Sequence, residues 1–81
     1  MIIDTLAMIL LETSQNERAL DLLKRAYSIS PKIPEIRYHL AQAYEKNNRV
    51  DDAKKALIDL LAESIQFKER QEAEQFLNRL K

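Results

Sequence analysis

The apolar residues of this chain recur at helical spacing in five successive segments. In the second segment they follow i, i+1, i+4, i+7 and i+8 spacing, which is typical of a helix with one buried face. This second stripe consists of Ala19, Leu20, Leu23, Ala26 and Tyr27. The later stripes are Ile36, Leu40, Ala41 and Tyr44 in the third segment, Ala53, Ala56, Leu57, Leu60 and Leu61 in the fourth, and Ala73, Phe76, Leu77 and Leu80 in the fifth. The pattern predicts an all-helical chain.

The first breaks between the helices follow from residue types that begin or end a helix. We expect the first helix over about residues 2–13 and the second from Asn16 or Glu17, because asparagine caps a helix N-terminus and an acid suits its first turn. Pro31 ends the second helix, since proline disfavours helical geometry in the residue before it. Pro34 begins the third helix, where a missing N–H costs nothing.

The remaining breaks are marked by asparagine and by charge. Asn47 and Asn48 tolerate the left-handed conformation of a tight turn, so the third helix is expected to end there. The fourth helix begins near Asp51. The fifth begins at about residue 68, with Arg70 and Glu74 paired on its outer face. Loops this short favour antiparallel neighbouring helices.

The pattern of apolar positions repeats along the chain with a period of about 34 residues. Residues 1–33 and 35–67 share six identities, and all but the last fall at apolar positions that we expect to face another helix. The pairs are Ile2/Ile36, Leu6/Leu40, Ala7/Ala41, Ala19/Ala53, Leu23/Leu57 and Ser30/Ser64. A fixed period of this length is typical of a solenoid, in which each unit buries its apolar face against a neighbour. The sequence therefore predicts a stacked helical scaffold without indicating what is bound.

At these positions the chain resembles the tetratricopeptide repeat (TPR) family, whose units are helix-turn-helix pairs with this same period. The matching positions are Leu6, Ala7, Ala19, Leu23, Ala26 and Pro31 in the first unit, and Leu40, Ala41, Tyr44, Ala53 and Leu57 in the second. The chain departs from the family at the turns, where Ser14 and Asn48 stand in place of a frequent glycine.

This resemblance implies an all-α fold, a right-handed α-solenoid in one TPR domain. We expect unit one over about residues 1–33, unit two over about 34–67 and a capping helix over about 68–81. A generic helical bundle would show similar stripes and stays an alternative. The residues at 4–6, 34–41 and 67–74 are also similar to the C-terminal ends of bacterial TPR proteins. Among these we name the TPR lipoproteins associated with the PEP-CTERM exosortase system.

The first helix is unusually apolar for the end of a repeat array. From Met1 to Leu11 only Asp4 and Thr5 are polar, whereas terminal repeats normally carry a polar outer face. One hypothesis is that the chain is the C-terminal part of a longer array, with Ile2 and Ile9 facing a preceding repeat. The alternative is that Ile2 and Ile9 form the seam of a homo-oligomer.

Composition excludes several classes of function. Thirteen basic and thirteen acidic residues balance, so no field attracts nucleic acid or an anionic membrane surface. Without glycine there is no phosphate-binding loop, and with His39 as the single histidine no His-based metal site or catalytic triad is expected. No cofactor, metal, membrane contact or enzymatic activity is therefore expected. The absence of cysteine leaves the compartment unknown.

The resemblance to TPR proteins implies that a protein or peptide binds the concave surface formed by the first helix of each unit. The residues expected on that surface are Asp4, Met8, Leu11, Glu12, Tyr38, Gln42, Glu45 and Lys46. TPR proteins that hold a terminal carboxylate use Lys, Asn or Arg on this surface, whereas this chain has Asp4, Met8, Tyr38 and Gln42 there. A chaperone-tail receptor is therefore not expected. Two alternatives stay open: Met8 and Leu11 complete the packing, or the chain is a structural spacer or self-association module without a peptide ligand.

Overall fold

The computed structural model describes residues 2–63 and 65–81, and the side chains of residues 2–5 and 7 lie outside that description. Five helices follow one another: α1 (Ile2–Glu12), α2 (Asn16–Ile29), α3 (Pro34–Lys46), α4 (Val50–Ala62) and α5 (Arg70–Leu80). No strand occurs in these described ranges. The all-α prediction is confirmed, whereas the right-handed solenoid stays a prediction.

Several helix bounds agree with the chemistry of the residues that flank them. The expected asparagine cap of α2 is wrong: Gln15 precedes the helix without a side-chain capping bond, and the Asn16 amide donates to the Lys46 carbonyl instead. Ile33 precedes α3 in extended geometry, as expected of a residue before proline, and Pro34 is the first residue of the helix. Acids occupy the first turns of α2 and α4, where they complement the positive end of the helix dipole. The last helix begins at Arg70, slightly later than the sequence predicts.

Each helix packs against the next one in the chain, and α1 also contacts α3. Two apolar clusters result. The first combines Leu10, Leu11, Ala19, Leu20, Leu23, Leu40 and Ala43, and the second combines Tyr38, Ala41, Leu57, Leu60, Ala73, Phe76 and Leu77. Helix α3 contributes buried residues to both clusters, so it lies at the centre of the packing.

Small residues allow the helices to approach one another closely. Ala19, Ala41 and Ala53 are completely buried, as the sequence predicts for positions where helices meet. Ala7, the fourth alanine of this set, has a side chain outside the described residues. A larger side chain at any of the three buried positions would have no room without displacing a helix.

Two further details differ from the sequence-based expectation. Tyr27 is 40% exposed rather than buried, and it lines a shallow cleft together with residues of α3 and α4. The expected pairing of Arg70 with Glu74 is wrong. The Arg70 guanidinium instead donates hydrogen bonds to backbone carbonyls at the end of α4 and in the segment that follows it.

Candidate partner-binding groove

A cavity of about 820 Å³ lies between α1, α3 and α5, and we call it the groove. Its walls are formed by Met8, Leu11, Glu12 and Ser14 from the α1 side, Tyr38, Gln42, Glu45 and Lys46 from α3, and Glu72, Gln75, Phe76 and Arg79 from α5. These are the first, third and fifth helices of the chain, and neither α2 nor α4 contributes a described residue to the cavity.

Seven of the eight residues that the sequence predicts for a binding surface line this groove: Met8, Leu11, Glu12, Tyr38, Gln42, Glu45 and Lys46. The side chain of Asp4, the eighth, lies outside the described residues. The structure thus brings the predicted residues together. Their role in binding stays a prediction.

The α5 wall of the groove is the part that the sequence-based reasoning missed. Glu72, Phe76 and Arg79 each lie one repeat period after a groove residue of α3, namely Tyr38, Gln42 and Glu45, respectively. Met8, Gln42 and Phe76 therefore form one row across α1, α3 and α5, and Leu11, Glu45 and Arg79 form the next. Applying the same period to the residues after 67 predicts the α5 wall.

Much of the apolar surface in the groove is already used for packing. Leu11 is 8% exposed and belongs to the first cluster, while Tyr38 is 9% exposed and belongs to the second. Met8 is half-buried against the first cluster. The packing interpretation of Leu11 is therefore supported, and Tyr38 exposes only a small part of its side chain to a partner.

Among the described side chains, five in the groove are charged, three acidic and two basic: Glu12, Glu45, Lys46, Glu72 and Arg79. Within the part of the chain that the structure describes, none of them forms an ion pair. The Arg79 guanidinium lies 4.9 Å from the centroid of the Phe76 ring, which fixes its direction without neutralising its charge. These charges are available to a partner.

Two uncharged polar side chains of α3 line the groove, Tyr38 and Gln42. Burial raises the pKa of the Tyr38 phenol, and the charges of Glu72 and Glu69 raise it further while Arg79 lowers it. The Tyr38 hydroxyl therefore stays protonated and can donate a hydrogen bond. The side-chain carbonyl oxygen of Gln42 is buried without a hydrogen-bond partner among the described residues.

A family model described as tetratricopeptide repeat matches residues 10–64, about two thirds of the chain. The chain belongs to the tetratricopeptide repeat family. No curated protein and no solved structure shows significant similarity to it. Tetratricopeptide repeats generally mediate protein–protein interactions and form a non-catalytic repeat family.

The tetratricopeptide match ends at residue 64, whereas the groove continues onto α5. One wall is thus built from a helix that lies outside the matched range. His39 is half-buried, with its ring 5.7 Å from the Tyr38 ring, and it does not line the groove. The described residues contain no group of three or more His, Cys, Asp or Glu side chains able to hold a metal ion.

The outer face of α1 is a second surface of this TPR chain. Leu6 and Ile9, one helical turn apart, are 44% and 52% exposed. The expectation that Leu6 faces another helix, as its repeat equivalent Leu40 does, is therefore wrong among the described residues. The side chain of Ile2, which the sequence groups with Ile9, lies outside the described residues. In the described ranges no helix has the length and apolar character needed to cross a bilayer.

Proposed function

We propose that this chain binds a segment of a partner protein in the groove, with residues 1–81 acting as one domain. The observation that carries the proposal is the convergence of equivalent positions from three helices on one cavity of about 820 Å³. Cavities of about 300–1,000 Å³ hold small ligands, and an open groove of that volume accommodates several side chains of a peptide. Membership of a family that mediates protein–protein interactions supports the same conclusion.

The side chains of the groove favour a partner segment with a short apolar centre and charges of both signs. Met8 and the small exposed part of Phe76 offer limited apolar contact in the same row as Gln42. Around this row, three carboxylates and two cations are free of ion pairs with other described residues. Complementary charges mainly contribute specificity and a faster association rate.

Peptide display against the immobilised protein tests this proposal. A selected peptide, titrated into isotope-labelled protein, should shift the NMR signals of Met8, Tyr38 and Gln42. Arg79→Ala should weaken its binding by about fivefold or more, the loss expected for a contact arginine. Arg25→Ala is the matched control, because Arg25 is exposed on α2 and does not line the groove. Shifts confined to Leu6 and Ile9 would instead identify the α1 face as the binding surface.

A second candidate function is self-association or spacing through α1. The exposed pair Leu6 and Ile9 favours it, since adjacent apolar side chains on one helix face are typical of contact surfaces. Sedimentation equilibrium of the parent and of Ile9→Asp distinguishes the two. A concentration-dependent mass that Ile9→Asp abolishes would support self-association, and a constant monomer mass would exclude it. The seam of Ile2 and Ile9 remains a proposal.

Two narrower ideas concern the natural context of the chain. One is that it forms the C-terminal part of a longer repeat array. The other is that it derives from a bacterial TPR lipoprotein of the PEP-CTERM exosortase system. The first rests on the apolar character of residues 1–11 and the second on sequence resemblance, and both stay predictions. The sequence encoded upstream of Met1 tests them, because further repeats would support the first idea and a lipoprotein signal would support the second.

A further inference from the structure

The helix that forms the third wall of the groove is attached to the rest of the fold by Arg70. Arg70 is the first residue of α5, and its guanidinium is partly buried. One terminal nitrogen donates to the carbonyls of Glu63 and Ile65 at 3.0 and 2.9 Å, and the other donates to the carbonyl of Leu61 at 3.1 Å. A single side chain therefore connects α5 to the end of α4 and to the segment between them.

The chemistry of this contact suits an arginine. The last carbonyls of a helix have no partner within the helix and carry partial negative charge. Helix α4 has no basic residue in its own last turn, so Arg70 supplies the positive charge from across the loop. The planar guanidinium holds several N–H donors in a fixed fork, whereas a lysine ammonium is a compact point charge.

The same contact extends to α3 through Glu63. The Glu63 backbone carbonyl accepts from Arg70, and its carboxylate accepts from Arg37 of α3 in an ion pair. The side chain of Arg37 is largely buried, so the pair is more ordered than a typical surface pair. Arg37, Glu63 and Arg70 thus form a continuous polar connection from the middle helix of the groove to its third wall.

Apolar packing alone does not determine where α5 sits. Ala73, Phe76 and Leu77 bury their side chains against the second cluster, but hydrophobic attraction is non-directional. The three hydrogen bonds from the Arg70 guanidinium add directional contacts at the first turn of the helix. Glu72, which lines the groove, lies in the same first turn of α5 as Arg70, so a shift at Arg70 moves the groove wall directly.

We infer that Arg70 is a positioning residue for the groove: without touching the partner, it holds α5 where Glu72, Phe76 and Arg79 face α3. The importance of that wall for binding rests on the proposed function, whereas the position of α5 can be measured without any ligand. Loss of the guanidinium should leave α5 helical and packed on α4 but with a wider range of positions. The groove would then lose its fixed width.

Spin-label distance measurements test the positional claim. The chain has no cysteine, so labels at Asp21→Cys on α2 and Asn78→Cys on α5 are specific, and both sites are exposed and outside the groove. We expect Arg70→Gln to broaden or shift the distance distribution and Arg70→Lys to have a smaller effect. Arg25→Gln, which removes an exposed arginine from α2, should match the parent. A parental distribution in Arg70→Gln would overturn the inference.

Far-UV circular dichroism first establishes that each variant is folded. If Arg70→Gln is not folded, Arg70→Lys decides: a broadened distribution supports the role of the guanidinium fork, and a parental one overturns it. A peptide selected by display should bind Arg70→Gln about threefold or more weakly, since a site displaced by about 1 Å loses complementarity. If no peptide can be selected, the proposed function fails, but the distance measurement still decides the role of Arg70.

Discussion

Ser14 and Asn48 lie one repeat period apart and adopt the same left-handed backbone conformation, with φ of 65° and 62°. Ser14 lies just after α1 and Asn48 just after α3, and the two turns have the same pattern of backbone hydrogen bonds. The N–H of Gln15 donates to the carbonyl of Leu10 at 2.8 Å, and the N–H of Arg49 donates to that of Tyr44 at 2.8 Å. Both turns are therefore Schellman motifs, in which glycine is the favoured residue at the left-handed position.

Replacing Ser14 by glycine should stabilise the fold. A non-glycine residue in left-handed geometry costs about 1–2 kcal/mol, and the larger unfolded-state entropy of glycine offsets part of the gain. We therefore expect chemical denaturation to show a free energy of unfolding higher by about 0.5–1 kcal/mol. Asn48→Gly is the matched variant and should change stability less, because asparagine tolerates this conformation. A loss of stability in Ser14→Gly would contradict the strain argument.

Ala53→Leu should destabilise the chain by about 1–3 kcal/mol, because Ala53 is completely buried and the larger side chain overpacks the site. Thermal melting followed by circular dichroism measures the effect. Ala62→Leu provides a control on the same helix, since Ala62 is exposed and leucine there should change the melting temperature little. Equal melting temperatures for the two variants would mean that α4 does not pack closely at Ala53.

Asn47 should stabilise the contact between the two turn regions. Its side-chain amide donates to the carbonyl of Asn16 at 2.9 Å and to that of Ala43 at 2.7 Å, and the Asn16 amide donates to the carbonyl of Lys46 at 3.3 Å. Asn47→Ala leaves partly buried carbonyls without this donor, so we expect a loss of about 1 kcal/mol. The denaturation midpoint measures it, with the exposed Asn78→Ala as control. Equal midpoints for Asn47→Ala and the parent would show that the Asn47 hydrogen bonds contribute no stability.

The raised pKa of Tyr38 gives a pH-dependent prediction. The folded chain holds the phenol proton more tightly than the unfolded chain, so the free energy of unfolding should fall as pH rises from the ordinary value of 10.0 through the raised one. Glu72→Gln removes one cause of the shift and should lower the Tyr38 pKa, whereas Arg79→Gln should raise it. NMR titration of the Tyr38 ring measures both. Identical Tyr38 titrations in parent and variants would place α5 farther from Tyr38 than the structure does.

The sequence predicts the helices better than it predicts the site. Helix stripes and Pro34 give the elements, because periodicity and proline geometry are local properties. The residues on the α1 and α3 sides of the groove can be predicted from the repeat and from the resemblance to the TPR family. The α5 wall was missed because the identities that reveal the period end before it. The hydrogen-bond partners of Arg70 could not be predicted. The sequence shows Glu74 at i+4 spacing, but it does not show that three backbone carbonyls of another segment lie within reach of the guanidinium.

Because α3 contributes buried residues to both apolar clusters, it determines how the molecule unfolds. Leu40 and Ala43 serve one apolar cluster, and Tyr38 and Ala41 serve the other. Detaching either end of the molecule would leave part of α3 facing water with apolar side chains and no replacement contacts. Neither half is therefore an autonomous folding unit, and loss of order in one should propagate to the other as a single cooperative event.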